Sequence, residues 1–428
     1  MAIGIDLRPS SPAIATACAS SIQREGFNID YCGALPTPAL AFYAQQEKIP
    51  AIMVTGSHIP FDRNGIKFYR PDGEISKVDE TAILNTQIPD QQSIDQFNLP
   101  EVNTKAIALY EQRYIDFFGL NLLNGLRVGV YEHSSVARDL LRRLLITLGA
   151  EVITLERTDN FVPIDTEAVG HEDILKGIRW SKEYGLDAII STDGDADRPL
   201  IGDENGQWLR GDIVGLLTAR YLKIKQIATP VSSNSAIEMS GIFDRVLRTR
   251  IGSPYVIEGM MQFLPNEGSI AGFEANGGFL LGSPIMNPVK HLEALPTRDA
   301  LLPILAVLAE AQQLNCTISK LVHSLPKRYT DSDRLQNFPS AISRKLLETW
   351  SGDLDEFARL FGIATCDISG SDNTDGLRIT FKDQSIIHLR PSGNAPEFRC
   401  YTEAESPNKA SALLQRMIDI LNLNYPSS

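Results

Sequence analysis

The sequence predicts an α/β protein of several consecutive domains, three with mixed, largely parallel sheets and a last one of α+β type. Three observations carry this reading. Strand, helix and strand alternate from the first residues and again after Gly125; apolar runs end in polar, glycine-containing loops; and past Arg328 the pattern changes to two strands around a polar turn. A chain of 428 residues is too long for one core and should divide into three or four domains.

The elements follow in order. Residues 2–7 read as a strand, the Ala-rich stretch 12–24 as a helix ended near Gly26, and 29–31 as a second strand. After the turn Leu35-Pro36-Thr37-Pro38 come another helix and the apolar strand 51–54. The rhythm restarts with strand 127–131, helix 136–148 stopped by Gly149, strand 151–155, helix 172–184 and strand 186–190. A third segment, 227–325, holds strand 269–273 and helix 298–313. Last, 377–381 and 385–389 flank Lys382-Asp383-Gln384 as a hairpin, and 407–421 reads as a closing helix.

Composition narrows the class. Apolar residues at 43% and charged residues at 22% describe a globular chain without a long disordered tract. A net charge of −13 argues against sequence-independent binding to nucleic acid. No apolar run is long enough for a membrane span and no signal core opens the chain, so a cytoplasmic address is expected. Five scattered cysteines without a C-x-x-C pair predict reduced core thiols, not a zinc site or disulfide framework.

Four loops carry chemistry. In DGDADR, 193–198, Asp193, Asp195 and Asp197 follow a strand and can turn hard oxygens toward one small cation such as Mg²⁺, in a loop loosened by Gly194 and Ala196. A solvated acidic turn, a calcium loop with Glu204 in twelfth place, and a phosphatase-type D-x-D are the rival readings. The calcium loop is weakened by Arg198, which stands where glycine is needed. In VTGSHIPFDRNGIKF, 54–68, Gly56 permits a sharp turn that projects Ser57 beside His58, with Lys67 further on. Alone this also fits a polar turn, and without G-x-S-x-G it is no hydrolase elbow. In GFEANGG, 272–278, Glu274 and Asn276 can meet sugar hydroxyls or form a strand turn. In RPSGNAPEFR, 390–399, Arg390, Ser392, the Gly393 amide, Asn394 and Arg399 make a phosphate cradle or a surface turn.

Together, in this order, the four loops resemble the α-D-phosphohexomutase superfamily over essentially the whole chain. The resemblance implies four domains around a central cleft: 1–120 carrying the phosphoserine, 121–225 the metal, 226–328 the sugar-recognition loop and 329–428 the phosphate-binding loop. It implies interconversion of hexose 6-phosphate and hexose 1-phosphate through phospho-Ser57 and a hexose 1,6-bisphosphate. Asp193, Asp195, Asp197 and a Ser57 phosphate oxygen would bind Mg²⁺. His58, Lys67 and Arg198 would surround the transferring phosphoryl group, with the general base not singled out. Glu274 and Asn276 would hold sugar hydroxyls, Arg390, Ser392, Gly393, Asn394 and Arg399 the unreacting phosphate, and Arg250 and Ser253 of RIGSPYV would help read sugar orientation.

Two departures from the family pattern stand out. A strand and a Thr-Ser-Gly-x-Arg loop are expected upstream of Gly4-Ile5-Asp6-Leu7-Arg8, so the sequence reads as an N-terminally shortened mutase whose first sheet has an exposed edge. The sugar loop reads EANGG where bacterial members usually have E-x-S-G-H, so Asn276 replaces Ser and Gly278 replaces His. E-A-N-G resembles the N-acetylglucosamine-phosphate branch, whereas the Ser57 loop resembles bacterial phosphomannomutases. Mannose phosphate is therefore the expected substrate. Glucose phosphate is expected to be accepted as well; a phosphoglucomutase, a phosphoglucosamine or N-acetylglucosamine-phosphate mutase and a non-enzymatic calcium-binding role are the alternatives, and the expected state is a monomer or dimer without nucleic-acid or membrane partners.

Overall fold

A computed structural model describes residues 1–87, 97–264, 268–286, 290–392 and 396–425. The chain forms two compact units, one of residues 1–228 with 256–324, the other of 229–255 with 325–428. No helix among the described residues is long and apolar enough to cross a membrane.

The first unit contains three mixed sheets. In the first, the strands run in the order Asp30–Ala34, Ala2–Ile5, Ala51–Val54, Ile66–Arg70, Gly73–Glu74, parallel up to Ala51–Val54 and antiparallel beyond it. Ala2–Ile5 and Ala51–Val54 are buried along their whole length, which is why they read as unbroken apolar runs. Ile3, Ile5, Ile52 and Val54 pack there with Ala15 and Ala19 of the helix Ser11–Arg24.

The second sheet runs Glu151–Arg157, Arg127–His133, Ala188–Thr192, Pro199–Gly202, with the last strand antiparallel. In the third, residues 226–228 pair in parallel with Ile270–Phe273, which is followed by antiparallel Phe279–Leu281 and Leu295–Asp299. One device is thus used three times. A buried parallel strand ends in a functional loop and turns directly into an antiparallel neighbour, so 55–65, 193–198 and 274–278 are hairpin connections at strand carboxyl ends.

The second unit is built on an antiparallel sheet in the order Tyr329–Gln336, Glu397–Ala404, Ile386–Pro391, Leu377–Phe381, Ile368–Asp372. Its inner face packs Ile379, Ile387, Leu389 and Phe398 against Trp350, Phe357, Phe361 and Met417 of the helices Ser340–Gly352, Leu354–Leu360 and Pro407–Asn424 and the turn after Leu360. The helix Pro407–Asn424 is started by Ser406, whose side chain accepts the Lys409 N–H.

Three expectations need correction. The helix placed at 298–313 begins at Leu301, because 295–299 is a strand and the Asp299 carboxylate accepts the N–H groups of Leu301 and Leu302. The strand placed at 186–190 lies at Ala188–Thr192, since the helix ahead of it closes with left-handed Gly185 and a Leu186 N–H bond back to Ser181. The cysteines are free, but only Cys32 and Cys400 are buried and Cys366 is exposed.

Two histidines lie deep inside. His388 meets the Asp375 carbonyl through Nε2 at 2.6 Å, His133 meets the Thr192 carbonyl through Nε2 at 2.9 Å, and Nδ1 of each has no hydrogen-bond partner among the described residues. Each carbonyl needs a donor, so Nε2 carries the proton. A second proton would leave a buried N–H without an acceptor, and burial, the largest cause, lowers both pKa values to about 4. Their unfolded value is near 6.5. The neutral form is therefore the folded one, and stability present above pH 6.5 is lost as pH falls toward 4. We expect His388→Gln to flatten the pH dependence of urea unfolding between pH 6.5 and 4 by about 2–3 kcal/mol; an unchanged slope would contradict this origin.

Candidate active site

The site in the first unit is assembled from loop to loop. Asp6, at the end of Ala2–Ile5, accepts the Ser11 hydroxyl at 2.6 Å, the Thr55 hydroxyl at 2.8 Å and the Gly56 N–H at 3.4 Å, and it pairs with Arg8. Buried Arg8 in turn donates to the carbonyls of Ser57 at 3.0 Å and Ile59 at 2.5 Å and stacks 4.0 Å over Phe161. A buried ion pair thereby fixes the backbone that presents Ser57.

The turn geometry differs from the expectation placed on the glycines. Positive φ falls on Ser57 at 53° and Ala196 at 58°, not on Gly56 or Gly194. Those glycines provide space: a Cβ on Gly56 would lie 2.8 Å from Arg8 Cζ, and one on Gly194 2.9 Å from both Phe161 Cζ and the Ser57 carbonyl oxygen. Left-handed backbone at a non-glycine residue is a local strain that the surrounding bonds hold in place.

Ser57 Oγ donates to Asp193 Oδ2 at 2.6 Å. The ligand oxygens of Asp193, Asp195 and Asp197 lie within 4.8 Å of one another, all three side chains buried. Lys67, on Ile66–Arg70, reaches Oδ2 of both Asp195 and Asp197 at 2.6 Å, and Thr37 donates to Asp195 Oδ2 at 2.5 Å. These bonds are all on Oδ2. Oδ1 of Asp195 and of Asp197 has no hydrogen-bond partner among the described residues, although Arg198 Nε lies 3.6 Å from Asp197 Oδ1. Buried carboxylate oxygens left without donors fit a hard divalent cation.

Charge explains the rest. Burial raises the Asp193 pKa well above the usual carboxylate range, reinforced by Asp195 and Asp197. For Asp197 burial acts the same way, but Arg298, Lys67 and Arg198 outweigh it and hold the carboxyl ionised. Burial likewise opposes the Lys67 charge, yet Asp195 and Asp197 more than offset it, so the ammonium stays protonated. His58 goes the other way: burial and then Arg198 lower it to about 4. Arg198 Nη1 donates to His58 Nδ1 at 2.9 Å, and the same nitrogen lies 3.5 Å from Ser57 Oγ.

The sugar loop is buried as well. Glu274 is paired with Arg298 at 3.3 Å, and Asn276 Oδ1 accepts the Gly278 N–H at 2.9 Å while its carbonyl accepts the Thr166 hydroxyl at 2.7 Å. Gly277 supplies the left-handed step of this turn, φ 89°. Glu204, the twelfth position of the calcium-loop reading, bonds instead to Ser319, so that loop lacks its closing ligand.

In the second unit, Arg390 and Arg399 face each other across antiparallel strands, and Arg399 pairs with Glu397 at 3.2 Å. Arg390 Nε lies 3.9 Å from Asp375 Oδ1, the Ser392 N–H bonds to the Glu397 carbonyl at 2.9 Å, and Arg250 donates to the Thr374 carbonyl at 3.2 Å. Ser253 opens the helix Ser253–Met261, so the expected 250–256 loop is helical from that residue on. Gly393 and Asn394 lie outside the described residues. Sequence reasoning missed Thr37, Phe161 and Arg298 and gave Arg8 no role in the site. Arg8 belongs to a recognised run; the other three have no local motif.

Profiles of the family "Phosphoglucomutase/phosphomannomutase" match the chain in order: alpha/beta/alpha domain I at residues 1–93, II at 112–206, III at 210–329 and the C-terminal domain at 337–420. A phosphomannomutase of Salmonella muenchen is 51% identical over 98% of this chain and 87% of its own length. One of Sinorhizobium fredii is 44% identical over 98% and 90%. The crystal structure of a phosphoglucomutase/phosphomannomutase family protein from Burkholderia thailandensis superposes with a TM-score of 0.76 at 20% identity, covering 100% of this chain and 90% of that one, a likeness of fold. With all four domains present in order and that degree of identity, the chain belongs to the phosphoglucomutase/phosphomannomutase family of the α-D-phosphohexomutase superfamily.

Proposed function

We propose that the protein is a phosphohexomutase that interconverts hexose 6-phosphate and hexose 1-phosphate, with mannose phosphate as preferred substrate. The observation that carries this reading is Ser57 Oγ held 2.6 Å from Asp193 inside a buried three-aspartate cluster that Lys67 closes from the other side. The names of the relatives at 51% and 44% identity support mannose phosphate over the glucose and glucosamine alternatives.

In this reading Ser57 carries a phosphoryl group. Its P–Oγ bond breaks as a bond forms from phosphorus to the free hydroxyl oxygen of the bound hexose phosphate; the hydroxyl proton passes to His58 and from there to Ser57 Oγ. His58 would take it on Nδ1, which lies 3.5 Å from Ser57 Oγ, once Arg198 Nη1 releases that nitrogen. The bisphosphate then turns over and returns its other phosphate to Ser57. Mg²⁺, held by Asp193 and the open Oδ1 atoms of Asp195 and Asp197, would draw charge from the phosphoryl oxygens. Lys67 and Arg198 add fixed positive charge, and positioning supplies most of the remaining effect. Glu274 and Asn276 are assigned to sugar hydroxyls. Arg390, Ser392, Gly393, Asn394 and Arg399 are assigned to the second phosphate, and Arg250 and Ser253 to sugar orientation.

Ser57→Ala is expected to lower mutase turnover by at least about 10³-fold and to abolish the covalent phosphate seen by intact mass and peptide mapping of the wild type. A silent Ser57→Ala variant would refute the phosphoserine. Turnover compared on mannose, glucose and glucosamine 1-phosphates should be highest with mannose, and activity confined to glucosamine would overturn the substrate assignment. Ca²⁺ in place of Mg²⁺ should inhibit, because the larger ion takes more ligands at longer distance; activation by Ca²⁺ would favour the calcium-binding alternative.

A further inference from the structure

Gly278 leaves a gap in the sugar loop, and the structure contains what fills the space. A Cβ built on Gly278 would lie 2.6 Å from Arg298 Cδ, 2.7 Å from Cγ and 3.1 Å from Cβ. The Arg298 stem passes through the volume that any side chain at 278 would take. Its guanidinium ends between two loops, Nη2 at 2.8 Å from Asp197 Oδ2 and Nη1 at 3.3 Å from Glu274 Oε2.

The strand end that carries it is pinned on both sides. Thr297 donates to Glu74 at 2.5 Å, and the Asp299 carboxylate takes the hydroxyls of Tyr110, at 2.7 Å, and Tyr114. Asp299 and Thr297 point to one face of Leu295–Asp299, so alternation sends Arg298 to the other.

We infer that Arg298 is a positioning residue that, through the space left by Gly278, clamps the sugar-binding Glu274 to the metal-binding Asp197 so that hydroxyl recognition and phosphoryl transfer share one rigid frame. This rests on the mutase reading for its substrate, but not for its geometry. Two consequences separate it from a merely structural role. Removing the guanidinium frees Glu274 and weakens hexose phosphate binding and turnover. It also removes a positive charge beside Asp197, which strengthens cation binding, whereas general loosening of the fold would weaken both.

The test uses the full chain as wild type, Arg298→Met, Arg298→Lys, Gly278→Ala and the double variant Gly278→Ala/Arg298→Met, with steady-state kinetics on mannose 1-phosphate and calorimetric titration of Mg²⁺ without sugar. Arg298→Met should lower kcat/KM roughly 100-fold, with KM raised, while Mg²⁺ binds several-fold tighter. Arg298→Lys keeps the charge but has a single nitrogen in place of the separate Nη1 and Nη2 that meet Glu274 and Asp197, so Mg²⁺ affinity should stay near wild type while KM stays raised. Gly278→Ala displaces the same side chain, so the double variant should be no worse than Arg298→Met. Losses that multiply in the double variant, or an Arg298→Met enzyme within about twofold of wild type, overturn the inference. If Arg298→Met does not fold, Arg298→Lys decides: a raised KM with Mg²⁺ affinity near wild type upholds the inference, and a KM within about twofold of wild type overturns it. If the wild type turns over no hexose phosphate, the mutase reading fails and the Mg²⁺ titrations alone judge the clamp: tighter binding in Arg298→Met upholds it, unchanged or weaker binding overturns it.

Discussion

Everything in the candidate site depends on keeping three carboxylates together in a buried place. Asp193, Asp195 and Asp197 repel one another there, and burial, reinforced by its two neighbours, raises the Asp193 pKa well above the usual carboxylate range. The structure answers by giving each a different set of donors. Asp193 accepts from Ser57, Asp195 from Thr37 and Lys67, and Asp197 from Lys67 and Arg298. Lys67 is central because one ammonium serves two carboxylates.

That arrangement also explains why the loops are shaped as they are. Glycines remove side chains where backbones approach: Gly194 lets the aspartate turn come up to the Ser57 carbonyl, and Gly211, at the start of the helix Gly211–Tyr221, lets that helix come up to the turn around Gly277. Strain at Ser57 is held by bonds from outside the turn, chiefly from the Asp6 and Arg8 pair beneath the serine loop, and beside Ala196 the Thr37 N–H bonds to the Asp195 carbonyl. A site whose geometry is fixed by buried charge before substrate arrives needs little reorganisation during phosphoryl transfer.

Much of the fold was legible because its determinants are local. Ala51–Val54 is an unbroken apolar run between polar turns, helix Pro407–Asn424 begins with a proline behind a serine cap, and Leu377–Phe381 and Ile386–Pro391 flank a polar turn. The start of helix Leu301–Gln313 was not, because although the Asp299 cap is local, residues 295–299 are fixed as a strand by pairing with Phe279–Leu281.

The sequence by itself determined the order and chemistry of the loops: a serine turn, an aspartate triad, a Glu-Asn turn and an arginine-rich strand end, each readable because its residues are adjacent. Only the tertiary structure decided which groups neutralise the triad, that Gly56 and Gly194 provide space and not turns, and that Arg298 occupies the gap beside Gly278. Electrostatic partners and steric gaps are properties of distance in space. Residues separated by most of a domain meet there, and no local pattern encodes the meeting.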